Sequence, residues 1–259
     1  MLRRPMHIEP LYDSFLLIKI FEESEFRDAF MNGLIYMNNI GYFNELEKNN
    51  QSKTSQNDAA RADRADGVNY FLRTTGDTHW VFEPNDKGEW LYMERPGLPN
   101  DNRYLIQAKI GRQDNAEKKL FCMYTLWGDS VNKKFLKVDD DIKNFGEYAV
   151  LIYNTPLFVE RIKEKAKQLN LKQGFLKFGF VDYIDENATT SVTQMGVFRK
   201  FKRFQYQNEF RICLEKEDVE GPYKDLRVET SDICAPFFTN DLIKANAMGI
   251  DGLTFGQIS

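Results

Sequence analysis

The sequence has few of the residues on which several common functions depend. It contains three cysteines and only two histidines, His7 and His79, in 259 residues. The cysteines are odd in number, far apart and set among apolar neighbours, so we expect reduced core thiols rather than disulfides or a zinc site. Two histidines exclude a multi-histidine metal centre and disfavour a Cys-His or Ser-His catalytic pair. We therefore expect any chemistry to rest on carboxylates, without a bound metal.

Long apolar runs and the common nucleotide-binding motifs are also missing. No apolar stretch approaches the roughly 20 residues that a membrane-crossing helix needs, and residues 1–5 lead into no hydrophobic signal segment. We therefore expect a cytoplasmic protein with no membrane partner. The sequence lacks a Gly-rich dinucleotide fingerprint, a phosphate loop and a nucleophile elbow, which argues against the usual dehydrogenases, NTPases and hydrolases.

The composition is that of a globular protein with a sheet-rich interior. Apolar residues make up 42% of the chain and aromatic residues 14%, including 21 Phe and 12 Tyr. This is enough to bury a substantial core, and we predict one domain over residues 1–259. The formal net charge of −4 means that a nucleic-acid partner would have to meet a local basic patch.

The hydrophobic pattern predicts an α+β fold. Helices are predicted at residues 25–32, with Ser24 as N-cap and Gly33 as C-cap, at 155–169 and at 240–248. Strands are predicted at residues 15–21, 34–37, 68–73, 104–110, 119–126, 149–153, 175–184, 207–214 and 227–229. The order shows no regular βαβ alternation, which favours a mostly antiparallel sheet.

A polar loop over residues 44–67 interrupts this pattern and is a candidate lid. It ends in a short stretch of alternating charges that includes Arg64. These charges would either close over a substrate or form the solvated face of a helix.

The most informative segment is the predicted strand near the end of the chain. In a strand, Gln207, Glu209 and Arg211 point to one face. The apolar residues 210, 212 and 214 would point to the other face, toward the core. The polar row is then either a solvent-exposed strand face or a functional site.

A basic segment precedes this strand. Its cations are Arg199, Lys200, Lys202 and Arg203, and together with Arg211 they place five cations within thirteen residues. Such a patch would hold a pyrophosphate or a nucleic-acid backbone and keep a neighbouring carboxylate ionised. The alternative is a solvated basic turn.

Residues 206–209, Tyr-Gln-Asn-Glu, resemble the Gln-x-Glu motif of the ADP-ribosyltransferases, which use NAD as donor. The start of the chain is also similar to that fold, because a strand carrying Lys19 is followed by a helix and a short strand. The resemblance implies a split, mostly antiparallel sheet with flanking helices. The layout resembles bacterial members that act as toxins in toxin–antitoxin or phage-defence systems.

The resemblance also implies roles for individual residues. Glu209 would hold the 2′-hydroxyl of the nicotinamide ribose and stabilise the oxocarbenium-like transition state, and Gln207 would orient the acceptor. Tyr124 and Trp127 would stack on nicotinamide, although both also fit a plain hydrophobic core. The residues implied in NAD binding are Lys19, Tyr36, Arg64, Tyr124, Trp127 and Arg211.

We therefore expect a transferase that moves ADP-ribose from NAD to a macromolecule. Nucleic acid is favoured over protein as acceptor, because the four cations at positions 199, 200, 202 and 203 would contact its phosphates. A toxin would also have an antitoxin partner. The alternative is a non-catalytic nucleic-acid or protein binding module that uses residues 199–211, with aromatic side chains as stacking platforms. A carboxylate-based nuclease would need Asp139–Asp141, which is more typical of a solvated turn.

Overall fold

The computed structural model describes residues 4–42, 118–132, 134–171, 174–185, 192–215 and 222–247, together with the short segments 70–72, 78–84, 90–96 and 108–110. The candidate lid at residues 44–67, with Arg64, lies outside the described residues.

The described residues form fifteen strands and a small number of helices. The strands are β1 Ser14–Phe21, β2 Asn38–Asn39, β3 Tyr70–Leu72, β4 Thr78–Pro84, β5 Trp90–Pro96, β6 Ala108–Ile110, β7 Lys119–Asp129, β8 Lys134–Phe135, β9 Tyr148–Ile152, β10 Leu176–Phe180, β11 Asp182–Ile184, β12 Val192–Gln194, β13 Arg199–Phe201, β14 Glu209–Leu214 and β15 Cys234–Phe238. The α-helices are α1 Ser24–Met31, α2 Thr155–Gln168 and α3 Thr239–Ala247, and the 3₁₀ helices are η1 Asp140–Phe145 and η2 Lys202–Gln207.

One eight-stranded sheet organises the molecule. The order of its main strands is β10-β14-β7-β1-β9-β15. The short strands β2 and β8 pair with the first and the last residues of β7. All of these pairs are antiparallel, whereas β11 and β13 form a separate parallel pair. The prediction of an α+β fold with a mostly antiparallel sheet is confirmed.

The sheet divides between β1 and β7. The two strands pair only from Ser14 with Gly128 to Ile18 with Tyr124. Beyond that point residues 19–21 pair with β9 alone, while the start of β7 pairs with β2 through Asn38 and Leu120. Two strands that separate within a sheet leave a gap between them. Residues 19–21 of β1 and 120–124 of β7 border this gap, and they line the pocket described below.

Two hydrophobic cores cover the faces of the sheet. On one face, Phe30 of α1 and Phe158 of α2 pack with Phe121 and Phe210 from the central strands. On the other face, Ile142 of η1 and Leu242 of α3 belong to a smaller core. Both faces of the central strands are therefore buried, which removes their apolar side chains from water.

The predicted boundaries of α1 are one residue late. The helix begins at Ser24 and ends at Met31, with Glu23 and Asn32 as its caps. Gly33 follows with a φ of +89°, and a Cβ there would lie 2.3 Å from the Val228 carbonyl oxygen. Only glycine meets both conditions, so the chain turns sharply after α1 and reaches the segment that lines the site.

Several other predicted strands differ from the structure. Residues 34–37 and 227–229 form only the isolated bridges Leu34–Arg227 and Met37–Tyr223. The predicted strand at 175–184 is two strands, β10 and β11. The hairpin β4–β5 and the edge strand β15 were not predicted, and Pro236 within β15 disfavours a strand assignment. None of the described helices has the length and apolar character to cross a membrane.

Candidate active site

A pocket of about 630 Å³ lies where the sheet divides. It is lined by residues from β1, α1, the segment 34–42, the first half of β7, β13, η2 and β14. This volume is within the range that is typical of small-molecule and cofactor sites. The predicted site residues that line it are Lys19, Tyr36, Tyr124, Lys200, Gln207, Glu209 and Arg211.

The turn before β14 sets the position of Glu209. Asn208 is in the left-handed region at φ 39° and ψ 53°, which ends η2 and starts the strand. Its backbone oxygen accepts a hydrogen bond from Thr125 N–H at 2.8 Å, and its side-chain Nδ2 donates to the Thr125 carbonyl at 2.6 Å. The backbone and the side chain of Asn208 are thus both hydrogen-bonded to Thr125 of β7. This turn holds Gln207 and Glu209, on either side of Asn208, at the same pocket.

The predicted strand over residues 207–214 is therefore wrong at its start. Gln207 is the last residue of η2, and the strand begins at Glu209 because the left-handed Asn208 interrupts extended backbone. Gln207 nevertheless lines the same pocket as Glu209. The core-facing half of the prediction is confirmed, since Phe210, Ile212 and Leu214 are all buried in the larger core.

A layer of partly buried side chains supports this turn. His7 Nε2 lies 3.3 Å from Asn208 Oδ1, and its ring packs edge-on against Tyr183 at 5.1 Å. The Tyr183 hydroxyl in turn accepts a hydrogen bond from the Glu209 backbone N–H at 2.9 Å. Burial lowers the pKa of His7, so its ring is neutral near pH 7. No sequence pattern indicates this layer, because His7 and Asn208 are 201 residues apart.

Three charged side chains form a buried cluster in the pocket. Lys200 Nζ lies 2.7 Å from Glu209 Oε1 and 2.7 Å from Gln207 Oε1. Arg211 Nε lies 2.7 Å from Glu209 Oε2, and its Nη1 donates to the Val197 carbonyl at 2.7 Å. All of these side chains are less than 10% exposed. The interpretation of the polar row as a solvent-exposed strand face is therefore wrong.

This cluster keeps Glu209 ionised. Burial alone would raise the pKa of its carboxyl group, but the charges of Arg211 and Lys200 outweigh burial and lower the pKa to about 2. At neutral pH the pocket therefore contains a fixed carboxylate between two cations. A carboxylate has about four lone-pair sites, and the bonds from Lys200 and Arg211 use two of them.

Lys19 lies at the point where β1 leaves β7. Its Nζ donates to the Cys122 carbonyl oxygen across the gap at 2.8 Å. The same ammonium lies 4.6 Å from the centroid of the Phe121 ring and 5.8 Å from that of Phe21. A lysine within an apolar strand is thus stabilised by a carbonyl and two aromatic faces, and it adds a third cation to the pocket lining.

Two of the predicted aromatic residues face the pocket. Tyr124 pairs directly with Glu209 across the strands, and burial raises the pKa of Tyr124 to about 12, so its phenol stays neutral. Tyr36 is partly exposed at the pocket edge, and Lys224 Nζ lies 5.3 Å from its ring centroid. Flat rings beside cations suit a ligand that combines aromatic rings with phosphates.

Trp127 does not belong to the pocket. It is three residues from Tyr124 on the same strand, so its side chain points to the opposite face. There it packs against Phe15 at 5.3 Å and Phe180 at 4.9 Å in the larger core. The role predicted for Trp127 in stacking on nicotinamide is wrong, and the core alternative is confirmed.

The basic segment is divided between surface and interior. Lys202 and Arg203 are exposed, and Arg199 is half-buried. Lys200 is only 3% exposed and faces the pocket, because its alternation in β13 directs it toward Glu209. The prediction that Lys200 contacts a target on the surface is therefore wrong.

Some pocket residues were not predicted. Glu25, Phe26 and Ala29 of α1, together with Tyr42 and Lys224, also line the pocket. The three residues of α1 recur at a spacing of three to four residues, but one face of any helix has this spacing, so the sequence does not mark them as part of a site. No sequence pattern marks Tyr42 or Lys224.

The acidic run has a structural role. The Asp139 side chain accepts a hydrogen bond from the Asp141 backbone N–H and caps η1. Among the side chains that the structure describes, no three His, Cys, Asp or Glu residues group as metal ligands. The described cysteines Cys122, Cys213 and Cys234 are free thiols, as predicted.

No protein-family model matches the chain, and comparisons with curated proteins and with solved structures also return no significant match. The geometry of the pocket and the Gln-x-Glu spacing therefore carry the functional argument.

Proposed function

We propose that this protein is an ADP-ribosyltransferase that transfers ADP-ribose from NAD to a macromolecule. The observation that supports this most strongly is that Lys19, Tyr124, Gln207 and Glu209 line one pocket. These residues come from three separate strands and a 3₁₀ helix, and the resemblance to the ADP-ribosyltransferases implies a role in the site for each of them. Residues of a solvated strand would have no reason to converge.

The contents of the pocket fit NAD. The cations Lys19, Lys200 and Arg211 would attract its pyrophosphate, and Arg and Lys are the usual partners of phosphate oxygens. Tyr36 and Tyr124 would contact its flat rings. The pocket volume of about 630 Å³ accommodates a ligand of this class.

The proposed reaction breaks the bond between nicotinamide N1 and C1′ of the ribose. The bonding electron pair leaves with nicotinamide, and positive charge develops at C1′. The ionised Glu209 carboxylate would accept a hydrogen bond from the ribose 2′-hydroxyl and stabilise that charge, since a fixed group aimed at a developing charge needs no reorganisation.

A lone pair on the acceptor, an oxygen or a nitrogen, would then form the new bond to C1′. Because the pKa of Glu209 is lowered to about 2, its carboxylate is a weak base near pH 7. We therefore assign the proton that the acceptor loses to solvent, and we assign Glu209 an electrostatic role. Gln207 would orient the acceptor.

The decisive comparison is nicotinamide release from NAD by wild type and by Glu209→Gln. Losing the carboxylate should lower the rate by about 100- to 1000-fold, the usual loss when one electrostatic contact to the transition state is removed. NAD labelled in its adenylate group, added with cell extract, would show whether label moves to RNA, DNA or protein.

Glu215→Gln is a matched control. Glu215 follows the same strand and pairs with Lys118 and Lys177, at 2.8 and 2.6 Å, but it is not part of the pocket. The control should release nicotinamide at the wild-type rate. If Glu209→Gln folds poorly, Glu209→Asp keeps the charge but withdraws it by one methylene, and it should also lose most of its activity.

A binding module remains the second candidate, and one observation favours it. The exposed Arg203 guanidinium stacks 5.0 Å from the Phe201 ring centroid and 4.9 Å from that of Phe204, beside the exposed Lys202. Such an arrangement suits contact with nucleic acid. This candidate gains support if wild type releases no nicotinamide and if oligonucleotide binding is equal in wild type and Glu209→Gln.

We further propose that this protein acts as a toxin or a phage-defence effector, as its resemblance to bacterial ADP-ribosyltransferases implies, with an antitoxin protein as partner. Arrested growth on expression of wild type, with normal growth on expression of Glu209→Gln, is the expected result.

A further inference from the structure

Lys200 connects the two polar residues of the Gln-x-Glu motif. Its Nζ contacts Gln207 Oε1 and Glu209 Oε1, each at 2.7 Å, and the ammonium lies 5.4 Å from the centroid of the Phe204 ring. A lysine ammonium has three donors, so a single group fixes both side chains. The 3% exposure of Lys200 removes it from bulk water, where such contacts would be screened.

The backbone around Lys200 is held by the same element that supports Glu209. Lys200 pairs with Tyr183 between the parallel strands β13 and β11. The hydroxyl of Tyr183 also accepts the Glu209 backbone N–H at 2.9 Å. Tyr183 therefore contacts the backbone of both residues and helps to set the distance between Lys200 and Glu209.

We propose that Lys200 is a positioning residue that holds Gln207 and Glu209 in the arrangement needed for transfer. The inference rests on the proposed function. Because Lys200 can only donate, the carbonyl end of the Gln207 amide must face it, and the amide orientation is fixed. The amide NH₂ group then lies on the other side, 3.4 Å from the Tyr206 hydroxyl. An acceptor group aligned by Gln207 must therefore offer a lone pair to an N–H donor.

The test compares Lys200→Met with Lys167→Met. Lys167 is an exposed lysine of α2 that does not line the pocket, so its replacement controls for the loss of one cation. Lys200→Met should lower kcat for transfer about 100-fold, as expected when reacting groups are displaced by about 1 Å. Lys167→Met should match wild type in kcat.

The pH profile separates positioning from a general loss of stability. Without Lys200, one of the two cations beside Glu209 is gone, so the carboxyl group should gain a proton at higher pH. The acidic limb of kcat/KM should move to higher pH in Lys200→Met and stay in place in Lys167→Met. Lys200→Arg keeps the charge but has a planar, fixed fork, so it should keep the limb near its wild-type pH while kcat falls.

A titration that needs no turnover completes the test. Carboxyl ¹³C NMR should show Glu209 titrating at higher pH in Lys200→Met than in wild type. Unchanged kcat, or an unshifted Glu209 titration, in folded Lys200→Met overturns the inference. If Lys200→Met does not fold, wild-type kinetics in Lys200→Arg overturn it instead. A wild type that releases no nicotinamide refutes the proposed function, a result that is distinct from failure of the Lys200 inference.

Discussion

Strand β14 is buried on both faces, yet its two faces are built in different ways. One face places Phe210, Ile212 and Leu214 in the larger core, where burial itself is favourable. The other face places Glu209 and Arg211 in the pocket with Lys200. Burying three ions costs desolvation free energy that apolar side chains of similar volume would not. We therefore expect that folding does not require the charged face, and a buried carboxylate with a perturbed pKa in a pocket is a candidate functional group.

The largest expected effect comes from breaking the charged face. Arg211→Met leaves Glu209 with Lys200 as its single cation and removes the donor to the Val197 carbonyl. We expect the free energy of unfolding to fall by about 3–5 kcal/mol, as when one partner of a buried ion pair is removed. Urea denaturation followed by circular dichroism measures this.

A triple variant sharpens the same point. When Arg211→Met is combined with Glu209→Leu and Lys200→Met, no unpaired ion remains, so stability should recover most of the loss. A triple variant that is less stable than Arg211→Met would show that the ions are needed for folding. It would contradict the conclusion that the charged face of β14 is not required for folding.

The charged face should also respond to acid. The pKa of Glu209 in the folded state, about 2, lies below its ordinary value of 4.5. Its ion pairs therefore stabilise the protein fully above about pH 4.5, and this contribution is lost as the pH falls toward 2. Thermal unfolding of wild type and Glu209→Gln should show a Tm difference that narrows over this range. Other acids, including Glu215, titrate in both proteins, so the difference isolates Glu209.

Asn208 joins the two faces, and its replacement should have a smaller effect. Asn208→Ala removes the hydrogen bond to the Thr125 carbonyl and leaves a left-handed residue with a Cβ. We expect a loss of about 2–3 kcal/mol in unfolding free energy. Asn208→Gly relieves the backbone strain and should be the more stable variant in the same denaturation assay. Equal stability of the two would contradict a role for the left-handed turn.

The smallest expected effect is on the apolar face. Ile212→Val removes one buried methylene from the larger core, and it should lower the free energy of unfolding by about 0.5–1.5 kcal/mol. Because the side chain points away from the pocket, nicotinamide release should stay at the wild-type rate. A change in that rate would mean that the two faces are not independent.

The sequence predicted those features that depend on local pattern. The apolar alternation of residues 210–214 was sufficient to predict the core face of β14, and the Gln-x-Glu motif marks Gln207 and Glu209, which both line the pocket. Features that depend on distant contacts were not predictable. Burial of Lys200 requires Glu209 as its partner, and the support from His7 comes from the other end of the chain.

Two predictions differ from the structure for simple physical reasons. The spacing of polar residues predicts a strand at Gln207, because spacing does not show a left-handed turn at Asn208. The resemblance implies a site role for Trp127 together with Tyr124, although strand alternation directs residues three apart to opposite faces, so Trp127 lies in the core.

The most direct test of the central claim is nicotinamide release from NAD by wild type, Glu209→Gln and Glu215→Gln under identical conditions. We predict release by wild type and Glu215→Gln, and a rate about 100- to 1000-fold lower for folded Glu209→Gln. Equal rates in all three proteins, or no release by well-folded wild type in the presence of cell extract, would contradict the assignment of this pocket as an ADP-ribosyltransferase site.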